Sequence, residues 1–229
     1  MKLFVLGLIV NCLFHLATSA NAQTTNNRDA DDIDIAPDVI QDSPVLQEWL
    51  QETPNVLEDI KYDPAFATRF RLGFTTFPTN DDAAGLNIAV EDIFIKRTGL
   101  TVSADYQTAF NGDRNAIGAD LHYFLFPLGN YINFAPSVGY RYVQSNDFFT
   151  DGIHLGVRLM LSLSRTGSGD ISVSQSFINP GVNEEVGITL FSVGYALTPH
   201  LRLSADIERQ NSIEDKNSRF GLNLEWSIY

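Results

Sequence analysis

Residues 153–164 alternate without a break. Ile153, Leu155, Val157, Leu159, Leu161 and Leu163 fall on one side, and His154, Gly156, Arg158, Met160, Ser162 and Ser164 on the other. A period of two places successive side chains on opposite faces of an extended chain, which no helix does. The pattern returns near the C-terminus, where Phe220, Leu222, Leu224, Trp226 and Ile228 alternate with Arg219, Gly221, Asn223, Glu225 and Ser227. It predicts ten strands, at 66–77, 85–95, 99–110, 116–126, 131–142, 152–164, 170–178, 186–197, 201–210 and 219–228. Their length suits a tilted strand crossing a bilayer, about 9–11 residues, better than a soluble strand of about 5–6. The phase slips twice. A bulge is expected at Glu91-Asp92, and a similar slip between Leu190 and Phe191.

The connections are expected to alternate too. After even-numbered strands they read as tight turns, such as Lys96-Arg97-Thr98 and Thr198-Pro199-His200. After odd-numbered strands they read as longer and more polar, as in Val143 to Asp151 and Asn211 to Ser218. An even strand count places both chain ends on the short-turn side.

A soluble barrel with its apolar face inward and a membrane barrel with that face outward share this alternation. The polar face separates them. It is built of small residues, including Thr101, Ser103, Ser137, Gly139, Ser172, Ser174 and Ser176, where a soluble exterior carries long charged side chains. Residues 64–229 hold two lysines, Lys96 and Lys216. Small residues suit a narrow barrel's interior. Phe66, Tyr106, Phe110, Tyr123, Tyr140, Tyr195 and Trp226 sit near strand ends, as aromatic girdles do at membrane interfaces. The expected fold is all-β: a single antiparallel up-and-down transmembrane β-barrel of about ten strands, preceded by a short helical segment.

The front of the chain has a different character. Lys2, an apolar run from Leu3 to Ala17 and the small-residue end Ala20-Asn21-Ala22 read as a secretory signal peptide over 1–22. Residues 23–42 are polar and acidic and are expected to be disordered. Ser43-Pro44 and Thr53-Pro54 each place an N-cap before a proline, so two short helices are expected within 43–63, as a periplasmic cap or plug. The barrel takes 64–229. With 28 acidic and 15 basic residues the net charge is −13, which argues against a nucleic-acid partner. Cys12 is the single cysteine and lies inside the signal sequence, so disulfides and thiol chemistry are not expected.

The final strand, Arg219-Phe220-Gly221-Leu222-Asn223-Leu224-Glu225-Trp226, resembles the C-terminal assembly signal of small bacterial outer-membrane β-barrel proteins, the OmpA/OmpX-like group. Gly194 to Leu203 resembles a periplasmic hairpin of that group. Tyr229 departs from it, being one residue out of phase with Ile228. The resemblance covers about residues 66–229. It implies a cell outer-membrane location, lipid as surroundings, and recognition of Arg219, Gly221, Leu224 and Trp226 by the barrel-insertion machinery.

Inward positions collect Arg69, Arg71, Asp105, Asp120, His122, Arg141, His154, Arg158, Arg202, Asp206, Glu208, Arg219 and Glu225. In a low-dielectric interior these are expected to pair as an ion network filling the lumen. A structural or interaction role follows, with a narrow porin-like channel as the alternative and a lipid-modifying enzyme as a further one. Asp120 with His122 is the best local acid–base pair, but no GxSxG or HExxH motif accompanies it, and catalysis is not expected. Neither the acidic loop at Asn80-Asp81-Asp82 nor Glu184-Glu185 has ordered ligand spacing, so no metal or cofactor is expected. A monomer is expected.

Overall fold

The computed structural model describes residues 42–44 and 63–228, apart from 80–81, 97, 146–147, 183 and 213–215. The signal sequence, the acidic stretch and the helices expected within 43–63 lie outside the described residues, apart from 42–44 and 63. Ten strands form: β1 (Thr68–Phe77), β2 (Ala83–Phe94), β3 (Leu100–Ala109), β4 (Arg114–Tyr123), β5 (Ile132–Ser145), β6 (Phe148–Ser162), β7 (Gly169–Ile178), β8 (Val186–Ala196), β9 (Leu201–Asn211) and β10 (Lys216–Ile228). Each pairs antiparallel with the next, and β1 pairs with β10, Thr68 opposite Ile228. The sheet closes on itself, so no edge of unpaired N–H and C=O groups remains, which is what a sheet needs to sit in lipid.

Alternation decides which face is which. In β1, Phe74 is 52% exposed while its neighbour Thr75 is fully buried. Leu155, Val157 and Leu159 of β6 are outward and exposed, as are Leu203 and Ile207 of β9 and Leu222 of β10. Arginines, carboxylates and serines fill the buried positions between them. A continuous apolar wall of this kind is not left facing water; lipid is the solvent that covers it without penalty. Tyr106, Phe110, Tyr123, Tyr140, Tyr195 and Trp226 are exposed on the outer surface, as the girdle reading requires. Phe66 is not. It precedes β1 and is buried, packing on Phe94 and Phe124 with ring centroids 5.3 Å and 4.7 Å apart.

The terminal end of the barrel, where β1 begins and β10 stops, carries connections 95–99, 124–131, 163–168 and 197–200. The distal end carries 78–82, 110–113, 146–147, 179–185 and 212–215. The expected contrast of short and long loops is absent. β5 and β6 run on until only 146–147 separate them. Val143, Ser145 and Thr150 looked loop-like in sequence, but all three are buried lumen-facing strand positions. The longer connection is 124–131, where Phe124 and Leu128 turn in over the terminal end. The Asn133 side chain holds it, accepting from the Phe126 N–H at 3.2 Å and donating to the Phe126 and Pro127 carbonyls at 3.2 Å.

The bulge falls where expected, between Val90 and Ile93, with Asp92 at φ +56°. The slip expected at Leu190-Phe191 does not occur; β8 pairs in unbroken register with both neighbours. Val186, Ile188 and Leu190 keep the inward phase of Ser192 and Gly194, so the apolar residues there change the lumen's character and leave the register alone. They help form one of two apolar clusters inside the barrel. Ala116, Val143, Ile178, Val186 and Ile188, with Phe148 against them, lie toward the distal end. Phe66, Phe124, Leu128, Ala135 and Met160, with Phe94, lie at the terminal end.

Candidate functional site: the charged lumen

Between the two apolar clusters the lumen is ionic. Near the terminal end Arg69 reaches Asp170 at 3.0 Å and Asp92 at 3.4 Å. Arg71 reaches Glu225 at 2.7 Å and Glu91 at 3.1 Å. Arg158 meets Asp92 at 3.2 Å, and Arg202 bonds both Glu225, at 3.2 Å, and Asp170. Ser204 Oγ donates to Glu225 at 2.6 Å. Further along β9 and β10, toward the distal end, Arg219 meets Asp206 at 2.5 Å and Glu208 at 3.1 Å, and Arg114 of β4 meets Glu208 at 3.4 Å. On the β3–β6 wall Arg141 clamps Asp105 with contacts of 2.5 Å and 3.0 Å and touches Asp120 at 3.2 Å. Opposite charges taken out of water are retained where they are paired.

Two glycines make the β3–β6 group possible. Gly118 lies between Asp105 and Arg141 in the register, and an added Cβ would stand 2.7 Å from the Arg141 Cζ. Gly139 lies between Asp120 and His154, where a Cβ would strike the Asp120 carboxylate. Each glycine lets side chains from strands two apart meet over it.

Every lumen residue named from the sequence faces inward, and all but His122 join the ion network. Asp120 does not pair with His122. Its Oδ1 sits 2.5 Å from Nδ1 of His154, and Nδ1 of His122 is buried without a hydrogen-bond partner. Neighbours two apart on one strand face point side by side, whereas Asp120 and His154 converge across Gly139. Of the residues expected to be read during assembly, Arg219 and Gly221 face the lumen, while Leu224 and Trp226 face outward.

Four network members were missed: Glu91, Asp92, Arg114 and Asp170. Two had a parity signal, since Asp170 shares the phase of Ser172 and Ser174, and Arg114 that of Ala116 and Gly118. Glu91 and Asp92 were hidden by the bulge. The left-handed turn at Asp92 swings its carboxylate inward, where Thr101 Oγ1 donates to it at 3.3 Å.

Several contacts span the barrel. In a closed ring of ten, β4 and β9 stand opposite, as do β5 and β10. Arg114–Glu208 joins the first pair, and Asn217 Nδ2 donates to Ser145 Oγ at 2.7 Å across the second. The guanidinium carbon of Arg114 also lies 4.8 Å from the Phe77 ring centroid, a cation–π contact. What remains open is a polar cavity of about 130 Å³ bordered by Asp105, Gln107, Asp120, His154 and the serines of β7.

The fold and lumen define a small closed β-barrel with an apolar wall and an ion-paired interior. No family model matches the sequence, and no curated protein matches it. Solved structures similar to it include the KdgM porin, at 9% identity and a TM-score of 0.42, covering 70% of this chain and 99% of that one. The NanC porin aligns at 10% identity and a TM-score of 0.42, covering 71% and 100%. Outer membrane phospholipase A from Escherichia coli aligns at 11% identity and a TM-score of 0.35, covering 74% and 97%.

Proposed function

We propose that this protein is an integral outer-membrane β-barrel with a structural or interaction role and a lumen that does not conduct. The observation that carries this reading is the pair of direct contacts between opposite walls, Arg114–Glu208 and Asn217–Ser145, set between apolar clusters at both ends. A hydrated ion needs a continuous wet path. Here it would have to part buried ion pairs and then pass packed Phe, Leu, Ile and Val side chains. The polar cavity of about 130 Å³ is walled by these paired charges, Arg69, Arg71, Arg141, Glu208 and Arg219 among them.

In this reading residues 1–22 direct export and are removed, and the barrel-insertion machinery recognises the segment bearing Arg219, Gly221, Leu224 and Trp226. The folded chain stands in lipid as a monomer, with no cofactor and no catalytic centre. Envelope fractionation tests the placement. Recovery with outer-membrane markers, with a folded band that shifts on heating in detergent, is the expected result. Recovery in the soluble fraction without detergent contradicts it.

A further inference from the structure

Charge is scarce on the outer wall. Among the described strand residues that face outward, three carry it: Asp151 of β6, Arg209 of β9 and Lys216 of β10. Asp151 accepts a hydrogen bond from the Tyr140 hydroxyl. Arg209 and Lys216 are exposed, and neither forms an ion pair with a described residue. The two stand together. Arg209 lies opposite Ser218, and Lys216 is two residues along β10 from Ser218 on the same face. Diagonal neighbours of this kind are about 7–8 Å apart, a gap that two long side chains close. Adjacent cations repel each other, and an anion held between them removes that cost.

Their depth fits a headgroup. Arg209 stands two residues from the end of β9 and Lys216 opens β10, so both lie at the distal rim, where a cation on a barrel's lipid face costs little. The row through Arg209 is polar. Thr189 of β8 lies opposite it, and Gln175 of β7 lies opposite Thr189, whose hydroxyl donates to it at 2.6 Å. One step toward the middle of the barrel the wall turns apolar. Ile207 lies between Phe191 and Phe220 in the register, and all three are exposed. Glu214 and Asp215, which precede Lys216, lie outside the described residues.

We propose that Arg209 and Lys216 form a binding site for the phosphate of a lipid headgroup in the leaflet at the distal end. The proposal rests on the reading of the outer wall as lipid-facing. The guanidinium offers paired N–H donors and the ammonium a compact charge, and both suit phosphate oxygens. The acyl chains of the same lipid lie along Phe191, Ile207 and Phe220. That apolar floor selects a lipid-borne phosphate over a free one, because headgroup and chains meet the wall together.

The test is native mass spectrometry of the mature chain, refolded and released from neutral detergent micelles holding equal amounts of dioleoyl phosphatidic acid and dioleoyl phosphatidylcholine. A heat-shifted gel band first shows that the barrel is folded, so a failure of the barrel reading is seen before any lipid is counted. At low ionic strength phosphatidic acid is expected to be favoured about thirtyfold, the effect of two basic residues at a membrane surface. Arg209→Gln and Lys216→Gln are each expected to cut that preference about fivefold, and the double variant to abolish it. Arg165→Gln, in a turn at the terminal end, is expected to leave it unchanged. Equal retention of the two lipids by the unaltered protein overturns the proposal whether or not any variant folds. A preference that survives in the folded double variant, or that Arg165→Gln removes, also overturns it. Displacement of phosphatidic acid by inorganic phosphate, but not by sodium chloride of equal ionic strength, overturns the assignment to a lipid.

Discussion

Arg114 and Glu208 meet across the full width of the barrel, Nη2 of one 3.4 Å from Oε1 of the other, although β4 and β9 share no backbone hydrogen bond. Glu208 also takes Arg219 through its second oxygen at 3.1 Å and Gln210 Nε2 at 2.8 Å. One carboxylate therefore ties two arginines from different walls. Glu208→Gln keeps the shape and removes the charge from the contacts with Arg114 and Arg219, while Asp206 stays beside Arg219. Breaking a buried pair from one side costs about 3–5 kcal/mol. Urea unfolding of the refolded barrel is expected to show a loss of that order, and a loss below about 1 kcal/mol would mean the crossing contact carries no weight.

Asp92 combines a left-handed backbone with a fully buried carboxylate shared by Arg69 and Arg158. Asn tolerates that backbone conformation and a β-branched residue does not. Asp92→Asn is expected to lose the charge contribution, and Asp92→Val to lose that plus about 1–3 kcal/mol of backbone strain. The order of the two unfolding midpoints checks the role of the bulge.

Gly118 is the floor over which Arg141 reaches Asp105. Gly118→Val is expected to displace the guanidinium and to destabilise the barrel about as much as Asp105→Ala does. The double variant should then cost little more than either single one, because both remove one contact. Additive losses in unfolding free energy would contradict the shared contact.

How far the fold was legible follows from these same residues. Ten strands and the inside-out barrel came from alternation, because one register error would turn every buried arginine toward lipid. Parity also placed the inward charges. It did not say which of them touch. Asp120 and His122 share a strand and a face, but the partner of Asp120 is His154, two strands away over a glycine. Such contacts depend on which residue is missing a side chain between two strands, and that needs the register. Phe66 misled because an aromatic residue at a strand end suits a girdle and a plug equally well. Polar residues at 143–151 misled because a polar strand facing a lumen has the composition of a loop.

The outer wall makes a separate prediction. Leu222 faces outward in the middle of β10, paired with Phe74 and Ala205. Arginine there is expected to cost about 2–4 kcal/mol, whereas arginine at Phe110, beyond the end of β3, should cost about 0–1 kcal/mol. Equal effects at the two positions in lipid-based unfolding would contradict the membrane depth assigned to them.

The most direct test of the closed lumen is single-channel recording of the mature protein in a planar bilayer, after a heat-shifted gel band confirms that it is folded. The account predicts silence from the unaltered protein. It also predicts silence after removal of residues 23–63, since the block lies in Arg114–Glu208, Asn217–Ser145 and the two apolar clusters of the barrel itself. Steady, reproducible conductance steps from the folded barrel, with or without that segment, would contradict it.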